Sequence, residues 1–458
     1  MHGLLIAGPA SGVGKTTLAL GLMAALRGRG LRVQGFKVGP DFIDPGLHAM
    51  ATGRASHNLD GWLLSPEEVK AVFTRHAGDV DAAVVEGVMG LFDGLEGASD
   101  RGSSAEIARW LGLPIILVVD AAAAVRSAAA TVLGFEAFDP KLPLAGVVFN
   151  RVGGARHAQW LQQAAALHCA TPVLGAIPWE TGVEIPERHL GLLTAEGGAL
   201  PSKRVARLAQ LVEAHVDLDR LLAVAQMAVP RPPSGLRADR FRARCRIGVA
   251  RDAAFCFYYG ENLLRLEEAG AALVPFSPLH DSTLPEDLDG LYLGGGYPEV
   301  HAATLAANLS MRQAIAAHAA SGRPVYAECG GFMYLGESIQ DPEGHWHPMV
   351  GWFPVRAIFP DAGLRLSYVR VRIQADCCLG PMGCEARGHE FHRSRMTEMP
   401  SSIARVFAVT DAPGDTWKPE GYRRGSVLGT YVHQHFGSQP DLAQHFVGAC
   451  LRARETRP

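Results

Sequence analysis

Over the first half of the chain, short apolar runs alternate with stretches in which apolar residues recur every three or four positions. That is the pattern of strands and helices wound into βαβ units around a parallel sheet. Strands are predicted over 4–7, 33–38, 82–85, 114–119 and 146–149. Between the first two, Leu18, Leu22 and Leu26 stand four apart and predict a helix over 16–26, with Gly28 and Gly30 as its stop. The Ala-rich patches 121–124 and 128–130 read as helix. Apolar periodicity then gives way over 229–244 to VPRPPSGLRADRFRAR, where three prolines, one glycine and five arginines mark a linker. After it, the run 245–250 (CRIGVA) restarts as a strand, Leu263, Leu264 and Leu266 follow in a helical pattern, and 290–293 and 324–327 read as further strands. The expected fold class is α/β, with two doubly wound domains, 1–228 and 245–458, on either side of the linker.

Length and composition agree with that division. A chain of 458 residues is long for one domain, and 48% apolar with 19% charged residues lets each half bury a core. Lys and Arg number 43 against 46 Asp and Glu, a net charge of −3 that makes nucleic acid a poor partner. The first residues, MHGLLIAG, lack a basic leader and read as a strand rather than a secretory signal. The apolar stretch 110–119 contains Pro114 and falls far short of the ~20 residues that span a bilayer, so no membrane segment is expected. Eight cysteines without a disulfide-framework spacing suit a reducing compartment, the cytoplasm by default.

The first candidate chemistry is GPASGVGKTT, residues 8–17, between the first strand and the first helix. Glycines there let backbone N–H groups approach phosphate oxygens, the helix N-terminus favours negative charge, Lys15 reaches the terminal phosphates, and Thr16 can ligate Mg²⁺. Pro9 and the extra residue depart from the strict pattern. Two acids just past strand ends, Asp41 in KVGPDFIDP and Glu86 in VVEGVMGLFDG, are candidate metal ligands or bases. Asp44 and Asp93 read equally well as turn residues.

The second candidate chemistry is VYAECGGFM, residues 325–333, a strand running through a Gly-Gly turn into a helix. This resembles the elbow that exposes a nucleophile above an α/β sheet; its helix N-terminus is expected to lower the Cys329 thiol pKa. Upstream GGGYPE offers an oxyanion loop at Gly295 and Gly296, and downstream GTYVH offers His433 as a base. Cys377, Cys378, Cys384, His389 and His392 invite a zinc reading, but none falls in a C-x₂-C spacing, and the two histidines read better as pocket-lining or buried polar residues.

Seven ordered stretches carry a family resemblance across essentially the whole chain: GPASGVGKTT, GFKVGPDFIDPGLH, EGVMGLFDG, LGGGYPE, AECGGFMYL, RGHEFHRS and GTYVHQHF. The first domain resembles the dethiobiotin synthetase-like branch of P-loop proteins, and the second a class I glutamine amidotransferase domain, which is flavodoxin-like. In this order they resemble the cobyrinic (or hydrogenobyrinic) acid a,c-diamide synthase family of cobalamin biosynthesis. The resemblance implies glutamine hydrolysis through a thioester on Cys329, with His433 as base and N–H groups around Gly295, Gly296 and Gly330 as oxyanion donors. It also implies that ATP and Mg²⁺ activate a corrinoid acetate as an acyl phosphate, which ammonia converts to the amide. Carried over motif by motif, Gly12, Gly14, Lys15, Thr16 and Thr17 bind phosphate; Thr16, Asp41 and Glu86 bind Mg²⁺; Asn150 contacts adenine. The GPDFIDP loop and the RGHEFH stretch are expected to face the corrinoid, making Asp44, His389 and His392 candidate substrate residues, with Asp93 of the LFDG turn as a further candidate.

One departure is His435, which stands where amidotransferases usually carry a glutamate two residues after the catalytic histidine. The orienting carboxylate is missing or comes from elsewhere, and glutaminase activity is expected to be slow unless the domains couple. Two related activities stay open: cobyric acid synthesis, whose enzymes carry Tyr near the place of His389, and a,c-diamidation of nickel sirohydrochlorin. A partitioning ATPase would need a lysine where this chain has Ala10, and would leave Cys329 and His433 unexplained. Expected partners are small molecules (corrinoid, glutamine, ATP), with a homodimer compatible with the resemblance.

Overall fold

The computed structural model describes residues 1–183, 201–229, 243–360, 363–412 and 414–455. Most of the predicted linker, 230–242, lies outside the described residues. The described chain divides into two compact units, one ending at residue 229 and one beginning at 243.

The first unit is a seven-stranded sheet of β1 (His2–Ala7), β2 (Val33–Val38), β3 (His57–Leu59), β4 (Ala82–Glu86), β5 (Ile115–Asp120), β6 (Leu144–Val152) and β7 (Val173–Pro178). All its strand pairs are parallel, in the order β3-β2-β4-β1-β5-β6-β7. A parallel sheet is covered on both faces, which is why its strands read as apolar runs instead of alternating. One face packs Leu18, Leu22 and Leu26 of the helix Lys15–Gly28 with Leu208 and Leu211 of the helix Ser202–His215. The other packs Leu117, Phe149, Val132 and Leu161. Strand order reverses at β1, whose neighbours are β4 and β5, and such a switch point opens a crevice beyond the strands' carboxyl ends. Residues 121–124 form a turn rather than the predicted helix: the Asp120 carboxylate accepts the Ala122 N–H at 3.0 Å, and helix begins only at Arg126. Short polar side chains compete in this way with helical hydrogen bonding.

The second unit opens with β8 (Cys245–Ala250), β9 (Ala271–Phe276), β10 (Gly290–Leu293) and β11 (Val325–Glu328). Three short strands, β12 (Ser338–Gln340), β13 (Trp346–Pro348) and β14 (Arg356–Ile358), join β17 (Arg395–Met396) in a small separate sheet. The remainder, β15 (Arg365–Ile373), β16 (Glu385–His392), β18 (Ala404–Asp411), β19 (Lys418–Arg424), β20 (Val427–Thr430) and β21 (His433–Gln434), extends the main sheet. Its order is β21-β16-β15-β18-β19-β20-β11-β10-β8-β9. The pairs from β20 to β9 are parallel, as the α/β pattern predicts; those from β21 to β20 are antiparallel, an extension the sequence pattern does not show. It folds β21, with His433, against β16, with His389. None of the described helices is long and apolar enough to cross a membrane.

Phe36 is fully buried in β2, its ring 5.1 Å from that of Phe73. Phe36→Ala is expected to destabilise the first unit by about 3–5 kcal/mol. Urea unfolding would show this as an earlier midpoint of one transition, and an unshifted midpoint would contradict the packing.

Candidate active sites

In the first unit the loop after β1 turns through Gly12 and Gly14, both at positive φ (81° and 100°). At Gly14 a Cβ would also lie 2.1 Å from Nδ2 of Asn150, so the loop descends onto β6 only because no side chain intervenes. Asn150 Nδ2 donates to the Val13 carbonyl at 2.9 Å, placing the predicted adenine contact directly against the loop as a brace. Lys15 begins the first helix and lays its ammonium across the mouth of the loop, donating to the carbonyls of Ala10 (2.8 Å) and Met89 (2.5 Å). Burial, then the nearby charge of Lys37, pulls its pKa down to about 8.

Below the loop lies a buried charged network. Lys37 in β2 and Glu86 at the end of β4 are direct neighbours in the sheet register, and the ammonium reaches Glu86 Oε1 at 2.9 Å and Asp44 Oδ2 at 2.7 Å. Glu86 Oε1 also accepts the Thr16 hydroxyl at 2.6 Å, and its Oε2 lies 2.7 Å from His48 Nε2. His48 Nδ1 in turn meets the Ser56 hydroxyl at 3.0 Å. Burial alone would lower the Lys37 pKa, but the attraction of Asp44 and Glu86 outweighs it and holds the ammonium charged. Burial would likewise raise Glu86, yet Lys37 and His48 bring it well below the usual carboxylate range. Asp44 is thus committed to an internal ion pair. Asp41 caps the following helix, its Oδ1 accepting from the N–H groups of Ile43 (2.7 Å) and Asp44 (3.2 Å). Exposed Asp93 closes the loop after β4 by accepting the Gly90 N–H at 2.8 Å, close enough to Lys15 for its charge to be felt. The side-chain oxygens of Thr16, Glu86 and Asp41 are hard donors of the kind a Mg²⁺ ion takes. Lys37 and His48 were missed by motif reading; the available signal was a lysine inside a buried parallel strand.

In the second unit, Cys329 sits at φ 46°, ψ −105° between β11 and the short helix Gly330–Tyr334. Such a backbone is rare for a residue with a Cβ and is the mark of a nucleophile elbow. The Cys329 N–H bonds the Thr430 carbonyl at 2.7 Å, fastening the elbow to the end of β20, three residues before His433. A Cβ on Gly330 would lie 3.1 Å from the Gly296 amide nitrogen, and one on Gly295 would lie 2.4 Å from Cε1 of His433. The predicted oxyanion glycines, nucleophile turn and base are therefore brought together. Against the expectation from the helix N-terminus, burial pushes the Cys329 thiol up, and the charge of Glu299 adds to it; a helix of five residues offers little dipole in opposition. Burial also lowers His433 to about 3 and raises Glu299 to about 7. Burial thus favours a neutral thiol and a neutral imidazole before substrate binds.

His389 is fully buried; its ring stacks on His433 at 5.0 Å and its Nδ1 meets the Tyr259 hydroxyl at 2.8 Å. His392 stacks on Tyr431 at 4.1 Å, with its Nδ1 2.7 Å from the Ser394 carbonyl. His435 is turned to a structural use, its Nδ1 accepting the Gly437 N–H at 3.0 Å, and burial lowers it to about 3. Cys377, Cys378 and Cys384 pack at the edge of the core that includes Phe407 and Phe446, around a turn in which Cys377 bridges Gly380.

Residues 4–193 match the CobQ/CobB/MinD/ParA nucleotide binding domain, and residues 246–441 match the CobB/CobQ-like glutamine amidotransferase domain. The cobyrinate a,c-diamide synthase of Syntrophotalea carbinolica is 48% identical, with 98% of each chain covered. Proteins of the same name from Dehalococcoides mccartyi (97% of each chain) and Listeria monocytogenes (99% of this chain, 100% of the other) are each 42% identical. With both of its units matched and its whole length shared with such relatives, the chain belongs to the cobyrinate a,c-diamide synthase family.

Proposed function

We propose that the chain is a ligase that uses glutamine and ATP to convert the a and c acetate carboxylates of cobyrinic or hydrogenobyrinic acid into amides, in cobalamin biosynthesis. What carries this reading is a buried nucleophile elbow with a histidine and close-packed glycines, in one chain with a phosphate loop backed by a buried Lys-carboxylate network. Glutamine hydrolysis and carboxylate activation are the two chemistries that glutamine-dependent amide formation requires. That all eight cysteines are free thiols suits a reducing cytoplasm.

At the elbow, the Cys329 sulfur attacks the glutamine carboxamide carbon while its proton passes to His433. Because burial disfavours both thiolate and imidazolium, proton transfer is coupled to attack and a charged pair does not persist in the resting site. N–H groups of the glycine loop and of Gly330 face the oxyanion. His433 returns the proton to the leaving nitrogen, ammonia departs, and water releases glutamate from the thioester. At the phosphate loop, amide groups and Lys15 hold the terminal phosphates of ATP, and Thr16, with Asp41 and Glu86, would hold Mg²⁺, which spreads phosphate charge when bound. A corrinoid carboxylate oxygen attacks the γ-phosphorus and ADP leaves. Ammonia then adds to the acyl phosphate carbon and expels phosphate, giving the amide.

The test is ATP-dependent mass change of cobyrinic and hydrogenobyrinic acids with glutamine or ammonia. Two amide-for-acid replacements are expected with either donor, and Cys329→Ala should lose the glutamine-driven reaction by roughly 10³-fold or more while ammonia still serves. No mass change on either substrate with either donor would overturn the assignment.

Only the protonated form of Lys15 attracts phosphate, so nucleotide affinity is expected to hold below pH 8 and to fall as pH rises through about 8. Phosphate stabilises the ammonium, so binding at pH 8.5 should take up part of a proton. Calorimetry in buffers of different ionisation enthalpy reads this directly; equal heats after buffer correction for zero uptake would reject it.

A further inference from the structure

The amidotransferase pattern leaves His433 without the usual carboxylate two residues later: that place is taken by His435, which caps its own turn. The second unit nevertheless places a carboxylate beside the ring. Glu328, the last residue of β11 and the neighbour of Cys329, has Oε2 3.9 Å from Nδ1 of His433. It reaches that place through the sheet: β11 and β20 pair in parallel with Glu328 opposite Thr430, and the chain turns back from there to present His433.

We propose that Glu328 is the positioning carboxylate of the glutaminase site, holding the His433 imidazole in the tautomer with hydrogen on Nδ1 and the Nε2 lone pair ready to take the Cys329 proton. This inference rests on the amidotransferase reading of Cys329 and His433 given above.

Four observations carry it. First, Glu328 is itself fixed: Oε1 accepts from the Tyr326 hydroxyl and from the Gln434 N–H (3.0 Å), and Oε2 accepts from the Tyr292 hydroxyl (2.9 Å). Second, a carboxylate oxygen can accept two hydrogen bonds, so Oε2 keeps capacity for one more donor on the side where His433 lies. Third, the His433 ring is confined, with the His389 ring stacked on it at 5.0 Å and an interplanar angle of 21°, and with Gly295 packed so closely that a Cβ would lie 2.4 Å from Cε1. Closing the 3.9 Å separation to a hydrogen bond takes a shift of about 1 Å, and catalytic hydrogen bonds commonly tighten when substrate binds. Fourth, an imidazole in an apolar interior is a poor base, since burial brings His433 to about 3; a carboxylate at Nδ1 favours the imidazolium that forms as Cys329 attacks. Burial also raises Glu328 to about 7, with the two tyrosines and the Gln434 N–H working in the other direction to stabilise its anion.

The decisive variant is Glu328→Gln, which keeps the shape and an acceptor for the Gln434 N–H but removes the charge. The readout is the ratio of glutamine-driven to ammonia-driven amidation, which is insensitive to the folded fraction because both rates scale with it. That ratio is expected to fall roughly 10²-fold through kcat, with KM for glutamine within about twofold. Glu328→Asp, which retains the charge one methylene further away, should recover part of the loss. Independently of activity, ¹⁵N NMR of His433 should show hydrogen on Nδ1 in the wild type and a shift toward the other tautomer in Glu328→Gln. An unchanged ratio together with an unchanged tautomer would overturn the proposal. If the wild type itself hydrolyses no glutamine, the amidotransferase reading fails instead, and the tautomer measurement still decides whether Glu328 orients the ring.

Discussion

The Lys37 ammonium, enclosed between the carboxylates of Asp44 and Glu86, is the constraint on which the first site depends. An ion in an apolar interior is tolerated only when paired and hydrogen-bonded, and removing one partner of such a pair costs about 3–5 kcal/mol. The network therefore fixes several elements at once. β2 and β4 must keep their register, the helix Ile43–Thr52 must bring Asp44 and His48 inward, and the Thr16 hydroxyl must point down from the loop. The phosphate loop is consequently supported from beneath by a Lys37–Glu86 pair held in its charged form. Lys15 is the group that remains tunable.

The second site is organised by the opposite device. Its nucleophile and base are buried without a permanent charge between them, and the thiol and imidazole are both driven toward neutrality. In the proposed mechanism, charge is generated only when substrate attack, proton transfer and oxyanion stabilisation occur together. Close packing brings these groups together: Gly295 lets the loop after β10 reach the His433 ring, and the strained backbone at Cys329 aims the thiol out of the strand. The antiparallel extension supplies the other wall, since β16 carries His389 against the ring of His433.

Much of this was legible in the sequence where function is local. Strands β1, β2, β4, β8 and β10, the phosphate loop, and the Cys329 turn all follow from apolar runs punctuated by glycine. The turn at 121–124 was misread because alanine periodicity gave no hint that Asp120 would take the Ala122 N–H. The antiparallel strands were not visible because they are half-exposed and interrupted by charged residues such as Arg370, Arg372 and Glu385, whose pairing depends on partners far along the chain.

By itself the sequence determined which residues could bind phosphate or attack a carbonyl, because glycine turns, a strand end and a helix start lie within about ten residues and their geometry is local. The tertiary structure alone decided which charges those groups would meet. Lys37 and Glu86 are 49 positions apart, and Glu328 and Gln434 are 106 apart; each pair becomes adjacent only through sheet order and register. It also decided that Asp44 would lock an ion pair, that His435 would cap a turn, and that the Cys329 thiol would be raised rather than lowered. The physical reason is common to all three: protonation and hydrogen bonding depend on burial and on neighbours in space, and neither is a property of sequence spacing.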